Sequence, residues 1–214
     1  LYAASRFDEA EEACREAIRL LQSTGDQWEV NTAGWTLAMC LHRKGHLREA
    51  AATARGVYES AVSIGDQTSA GVGLSVWTRT AWDEVDPDLI AAELARESMD
   101  ASTTAELRLA AGIVALNAGE LAAAVGHLEA AAHTIRASGL RQEYAAPVSC
   151  WRATAARTLV EQASPHDPVS HTKALRKASK AVTSARFWAW SYRNNAPHAL
   201  REAGLVASLR NQPR

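Results

Sequence analysis

The chain has 214 residues, a formal net charge of −1 and 47% apolar residues. It is long enough to bury a substantial core, and too apolar for a disordered chain. Alanine occupies 45 positions, whereas Gly and Pro together number only 18, a balance that favours an all-α protein. The wide spacing of Cys14, Cys40 and Cys150 excludes a disulfide framework and predicts reduced thiols in a cytoplasmic protein.

The first four predicted helices cover residues 6–24, 27–44, 47–64 and 67–84. The first and the third end in nearly the same phrase, STGDQ at 23–27 and SIGDQ at 63–67. Glycine readily takes the left-handed conformation that ends a helix, and the next aspartate can cap the following helix by accepting a backbone N–H bond. We therefore expect joints between helices at Gly25-Asp26 and Gly65-Asp66, and a related joint at Gly139.

Six further helices are expected, at 88–99, 103–118, 121–138, 141–163, 169–193 and 196–210. Pro87, Pro168 and Pro197 fall near predicted helix starts, where proline is tolerated. Pro147 lies inside the 141–163 segment, so this helix either starts later, near Ala145, or is kinked. The stretch ASPHDPVS at 163–170 is a predicted loop and a candidate weak joint.

A second pattern recurs between these joints. The segments RKGHLREAAATA at 43–54 and NAGELAAAVGHL at 117–128 share a glycine, a leucine two residues later and an alanine five residues later. Recurrence at this scale is typical of stacked helical hairpins. The pattern resembles the tetratricopeptide repeat, best over 105–138, where the matching positions are Ala111-Gly112, Ala115, Gly119, Ala124, Leu128 and Ala131. The usual Trp, Tyr and terminal Pro positions are mostly Ala or polar, and the spacing is nearer to about 40 residues than to the family's 34.

The resemblance implies an α-solenoid of antiparallel helix hairpins that forms one domain over residues 1–214, in which each hairpin packs only against its neighbours. Extended repeats of this type occur in large bacterial signalling proteins, such as maltose-activator-type regulators and ATPase-linked kinases or cyclases. The chain starts and ends on half-repeats, so we expect it to be a fragment of a longer protein. The expected function is a non-catalytic module that binds a protein or peptide, which could be another domain of the same polypeptide.

A concave groove would be lined by the first helix of each hairpin. Trp and Arg are favoured anchors of binding surfaces, although most of the tryptophans are expected to fill gaps in the alanine-rich core. The candidates for the groove lining are Trp28, Trp35, Trp77, Arg79, Arg108, Asn117 and Arg152. A sensor that binds a small molecule or oligopeptide in this groove is the first alternative function.

The charge is unevenly divided, with 11 basic and 20 acidic side chains in residues 1–140 but 12 basic and 4 acidic in residues 141–214. One face of the 169–193 helix is basic over 173–180, and aromatic residues follow at 188–192. Basic and aromatic residues together can bind nucleic acid, so a nucleic-acid-binding repeat is the second alternative. Nucleic acid is not the expected partner, because an alanine stripe on the same helix favours a solvated face whose aromatic end packs on the next hairpin.

No other motif points to chemistry. His42 and His46 have a metal-chelating spacing, but Gly45 between them should end the helix, and no third ligand is nearby. The acidic stretch DEVDPD at 83–88 lacks the frame of a calcium loop and is expected to cap the next helix. P-loop, GxSxG and HExxH motifs are absent. We therefore expect neither an enzyme nor a bound cofactor or metal, and no apolar run approaches the roughly 18–20 residues of a membrane span.

Overall fold

The computed structural model describes residues 1–96, 100–163 and 167–211, and this part of the chain is all-α, as predicted. Its α-helices are α1 (Phe7–Thr24), α2 (Gln27–Lys44), α3 (Leu47–Ile64), α4 (Gln67–Thr80), α5 (Pro87–Leu94), α6 (Ala101–Asn117), α7 (Leu121–Ala137), α8 (Ala146–Gln162), α9 (Pro168–Ser191) and α10 (Ala196–Asn211). Four short 3-10 turns lie at Tyr2–Ala4, Trp82–Glu84, Glu143–Ala145 and Arg193–Asn195.

The predicted glycine–aspartate joints are confirmed. Gly25 and Gly65 end α1 and α3 with φ values of 77° and 75°, in the left-handed region. The Asp26 carboxylate then accepts a bond from the backbone N–H of Glu29 (3.2 Å), and Asp66 caps α4 in the same way. Gly139 also has a left-handed φ, of 68°. These joints explain why α2 and α4 begin at the predicted positions, Gln27 and Gln67.

Three boundaries differ from the predictions. The helix α4 stops at Thr80, whose hydroxyl bonds back to the carbonyls of Val76 and Trp77, so residues 82–84 form a separate turn. The helix α5 has only eight residues, and the predicted end of that helix at 97–99 lies outside the described residues. The helix α8 starts at Ala146, which places Pro147 in its first turn without a kink. Residues 164–166 of the predicted weak joint also lie outside the described residues.

Helices that are adjacent in sequence pack against each other along most of the chain. The even-numbered helices also contact one another in order, from α2 to α4, α6, α8 and α10. Close approach depends on small residues. A Cβ atom added at Gly112 of α6 would lie 2.7 Å from Cγ of Leu128 in α7, so only glycine fits at this crossing. Three successive apolar clusters follow the helix order and form the core.

Distant parts of the chain meet at Arg43, at the end of α2. Its guanidinium donates hydrogen bonds to the Tyr2 hydroxyl (3.2 Å), the Asn194 carbonyl (3.1 Å), Glu143 Oε1 (3.1 Å) and Asn195 Oδ1 (3.2 Å). The segment that precedes α1 therefore contacts the turn that precedes α10. This contact differs from the expectation that each hairpin packs only against its neighbours.

None of the helices in the described residues combines the length and apolar character that a membrane-spanning helix needs. No group of three or more His, Cys, Asp or Glu side chains in the same residues is arranged to hold a metal ion.

Candidate functional site

An apolar cleft, here called the α5–α7 cleft, lies between α5 and α7 with α6 as its floor. Its volume is about 440 Å³. The floor runs along α6 from Arg108 to its C-cap Ala118, a rise of ten residues and therefore about 15 Å. One wall carries Ile90 and Leu94, and the other carries Ala123. A straight, alanine-lined channel of this length can accept an elongated apolar ligand.

The cleft exists because α5 is short. The helices α3 and α7 have 18 and 17 residues, whereas α5 has eight and begins only at Pro87. The residue before a proline is held out of the helical conformation, and Asp86 caps α5 by accepting from the backbone N–H of Asp88 (2.9 Å). The acidic stretch at 83–88 therefore caps a helix, as predicted, and that helix is too short to cover the floor.

Opposite charges mark the two ends of the cleft. At one end, Arg108 Nη1 lies 3.3 Å from Nδ1 of His127. Burial and the nearby Arg108 charge lower the pKa of His127, so this histidine is neutral and its Nδ1 accepts the bond. None of the described carboxylates forms an ion pair with Arg108. At the other end stands the exposed Glu120, which precedes α7.

A second cavity of about 620 Å³, here called the central cavity, lies where the segment that precedes α1 meets the segment that precedes α8 and the end of α9. Four aromatic residues contribute to its wall, namely Tyr2, Trp35, Tyr144 and Tyr192. Two of the hydroxyl groups are already engaged, because Tyr2 accepts from Arg43 and Tyr192 donates to the Arg141 carbonyl. Burial raises the pKa of Tyr2, although the Arg43 charge opposes this effect. The cavity thus offers mainly ring faces and aliphatic carbons to a ligand.

The predicted groove residues occupy several separate places. Arg108 lines the α5–α7 cleft and Trp35 lines the central cavity. Trp28 is 55% exposed on α2, outside both cavities. The exposed Asn117 bonds the Ile113 carbonyl of its own helix.

The other three predicted residues are engaged in packing and ion pairs. Trp77 is buried, and the Arg55 guanidinium lies 5.5 Å from the centre of its ring. Arg79 pairs with the buried Glu106 (2.9 Å). Arg152 pairs with Glu129 (2.7 Å).

Sequence reasoning missed most of the cleft. His127, Ile90 and Leu94 received no role, because only the first helix of each hairpin was expected to line a groove. The signal that could have located the cleft is the DP pair at 86–87, which marks a late helix start between two long helices. The aromatic residues of the central cavity were missed because Tyr2, Tyr144 and Tyr192 are far apart in the sequence.

One buried group has the residue types of a catalytic triad without its geometry. Thr154 Oγ1 lies 2.8 Å from Nε2 of His198, and Glu202 Oε1 lies 3.8 Å from the same nitrogen. A triad needs the hydroxyl and the carboxylate on opposite ring nitrogens, so that the carboxylate orients the base. This arrangement therefore cannot relay a proton from the hydroxyl in that way.

Comparison with known proteins does not identify a family or a function for this chain. No family model matches the chain, and neither a curated protein nor a solved structure shows significant similarity to it.

Proposed function

We propose that the chain is a helical-repeat module that binds an apolar helical segment of a partner protein in the α5–α7 cleft. In this proposal the hairpins form an α-solenoid, and the partner segment could belong to the same polypeptide, as in the bacterial regulators that the repeats resemble. The ordered contacts of α2, α4, α6, α8 and α10 support the solenoid. The three free thiols support a reducing location such as the cytoplasm.

The observation that carries this proposal is an apolar channel with Arg108 at one end, which pairs with none of the carboxylates that the structure describes. Helix-in-groove recognition uses an apolar stripe on the ligand and a complementary groove on the receptor. The floor positions Ala111 and Ala115 are small, so the backbone of a bound helix can approach closely. A channel of about 15 Å accepts roughly ten helical residues.

The charges at the ends fix the direction of the bound helix. A helix carries partial positive charge at its N-terminus and partial negative charge at its C-terminus. The ligand C-terminus is therefore expected beside Arg108 and its N-terminus beside Glu120. A carboxylate side chain in the last turn of the ligand would strengthen the pairing with Arg108.

A peptide selection tests the proposal. The chain would be used to select from a displayed library of helical peptides, with removal of clones that also bind the Ala111→Trp variant, in which the cleft is filled. We expect the enriched peptides to carry apolar residues at i, i+3 or i+4, and i+7, and a carboxylate near the C-terminal end. Failure to enrich any clone that distinguishes the two proteins would contradict the proposal.

A charge reversal provides the matched control. For a selected peptide, Arg108→Glu should weaken binding about tenfold in an anisotropy titration, because a like charge replaces the complementary one. Arg136→Glu makes the same change on the exposed part of α7, outside the cleft lining, and should change the affinity less than about twofold. Circular dichroism of each variant would verify that the fold is intact.

A second candidate function is a small-molecule sensor, and the aromatic wall of the central cavity favours it. A ligand that binds only the folded form raises the melting temperature. We expect a panel of small aromatic carboxylates to contain compounds that stabilise the wild-type chain but not Trp35→Leu. The absence of any stabilising compound, or equal shifts in both proteins, would remove this candidate.

A further inference from the structure

The outer face of α9 carries a continuous row of basic side chains. Helical spacing places Lys173, Arg176, Lys177 and Lys180 on one side of the helix, and all four are exposed. The opposite side is the buried stripe Ala178, Ala181, Val182, Ala185 and Ala189, which packs into the core cluster between α8 and α10. The basic row therefore points away from the protein.

These cations form no ion pair with a carboxylate of the described residues. The helix has five basic residues, the fifth being Arg186, and no acidic residue. The ion pairs of the described residues involve other parts of the chain, and none includes a basic residue of α9. A row of unpaired cations is favourable only when mobile counterions or a polyanion lies beside it.

Two large aromatic side chains extend the same face. Phe187 is 69% exposed and Trp190 is 79% exposed. The neighbouring aromatic residues have internal roles, since Trp188 packs on the core and stacks on Tyr192 with ring centres 5.9 Å apart. The expectation that the aromatic end packs on a neighbouring hairpin thus holds for Trp188 and does not hold for Trp190.

We propose that the outer face of α9 binds single-stranded nucleic acid. The four cations over 173–180 would contact successive phosphates, and bases would stack on Phe187 and Trp190. Single-strand sites combine these two features, a positive track for the backbone and ring faces for the bases. From Lys173 to Trp190 the helix rises about 25 Å, enough for roughly four nucleotides. This surface is separate from the α5–α7 cleft, so the proposal does not depend on the proposed function.

A membrane surface fits the same residues less well. An interfacial helix buries an apolar face among the acyl chains and keeps its cations at the sides. In α9 the cations occupy the centre of the exposed face, and the apolar stripe is already buried within the protein. Exposed Arg186 and Arg193 also alternate with Phe187 and Trp190, which suits phosphates between stacked bases.

The experiment uses the full 214-residue chain with fluorescein-labelled 12-nucleotide poly(U) RNA and poly(dT) DNA, in a salt series from about 25 to 300 mM. Four phosphate contacts predict a slope of log affinity against log salt near −2.8, from about −0.7 per contact on single strands. The double variant Lys177→Glu and Lys180→Glu should weaken binding at least tenfold and flatten the slope. Trp190→Ala should weaken binding but leave the slope unchanged, since it removes stacking and no charge.

The matched control is the double variant Arg48→Glu and Arg136→Glu, which makes the same change in net charge at exposed positions outside α9. It should lower the affinity less than about twofold at 100 mM salt, where the Debye length is about 10 Å. No binding at 25 mM salt would overturn the proposal, as would equal losses in the two double variants. Binding to vesicles with 30% phosphatidylserine but not to either oligonucleotide would also overturn it.

Discussion

Two neighbouring parts of the C-terminal region differ in whether their arginine and lysine side chains pair with carboxylates. Between α8 and α10, Glu202 has no exposed surface and accepts hydrogen bonds from Arg157 (2.7 Å) and Arg201 (2.8 Å). On the outer face of α9, the cations have no carboxylate within the described residues. Internal pairing makes the first group part of the fold, whereas the second group is the one that we propose binds nucleic acid.

The two regions also differ in how strongly their charges affect stability, because one set of charges is buried and the other is exposed. Burial alone would raise the pKa of Glu202, but the hydrogen bonds from Arg157 and Arg201 outweigh it and hold the pKa below its ordinary value. This carboxylate is thus ionised in the folded protein, and removing it leaves Arg157 with only the more exposed Glu161 as a partner. Exposed charges are screened by water and salt and contribute little to stability.

The largest effect is expected at Glu202. Glu202→Ala leaves Arg157 without its buried partner and should lower the free energy of unfolding by about 3–5 kcal/mol in urea denaturation. The control is Glu161→Ala, which removes the other partner of Arg157, a carboxylate that is 42% exposed, and should cost less than about 1 kcal/mol. Similar losses for the two variants would show that burial does not distinguish the pairs.

Arg43 is a second buried cation, and its loss should be nearly as costly. Arg43→Met leaves Glu143, whose side chain is 7% exposed, without a positive partner, and should cost about 3 kcal/mol. Adding Glu143→Gln should recover part of this loss, because the uncompensated charge is then gone. A double-mutant cycle measures the coupling, and strictly additive effects would contradict an energetic link between the two residues.

Acidification should weaken the paired regions through two histidines. Burial, then Arg79, lowers the pKa of His42 to about 3. Burial, then Arg201, lowers the pKa of His198 to about 4, although Glu202 acts in the opposite direction. Because the unfolded chain binds protons at these histidines below a pKa of about 6.5 and the folded chain does not, their contribution to stability is complete above that pH. As the pH falls toward 4, each histidine lowers the free energy of unfolding by up to about 1.4 kcal/mol per pH unit.

Denaturation curves at pH 7.5, 6.5 and 5.5 check this dependence. In His198→Gln the loss between pH 6.5 and 5.5 should be smaller than in the wild type, because one titrating group is gone. Thr172→Gln changes an exposed position of α9 that carries no titratable group, and it serves as a control that should leave the dependence unchanged. A pH response of His198→Gln equal to that of the wild type would exclude this histidine as a source.

The smallest effect is expected on α9. Lys177→Glu replaces a like charge beside Lys173 and Lys180 with an opposite one, and should raise stability by about 0.2–0.5 kcal/mol. Calorimetry of the melting transition would measure the change. A loss of more than about 1 kcal/mol would show that Lys177 is needed for folding. The exposed charges of α9 would then contribute to stability as the buried pair of Glu202 and Arg157 does.

The candidate sites show how far sequence reasoning reached. Arg108 and Trp35 were selected as groove residues, and each lines one of the two cavities. They do not share a groove, and their partners His127 and Tyr144 were not found. Residue type identified plausible anchors, but the rotation of each helix about its axis decided which cavity they face.

On α9, too, the sequence did not reveal which side of the helix is covered, as Trp188 and Trp190 illustrate. Trp188 and Trp190 are two positions apart in one helix, and both were expected to pack on the next hairpin. The structure buries one against the core and leaves the other exposed beside the cations. A rotation of about 200° separates two such positions, so the neighbouring helices α8 and α10 determine which side is covered.

The amino-acid sequence by itself determined the helices and most of their joints. Glycine, aspartate and proline act on the backbone within a few residues, so Gly25-Asp26, Gly65-Asp66 and Pro147 could be interpreted without knowledge of the rest of the chain. Only the tertiary structure decided that α5 leaves a cleft, that Arg43 bonds to both Tyr2 and Asn194, and that the cations of α9 face away from every carboxylate that the structure describes. Those features arise from contacts between segments up to about 190 residues apart, and local chemistry carries no information about which distant surfaces meet.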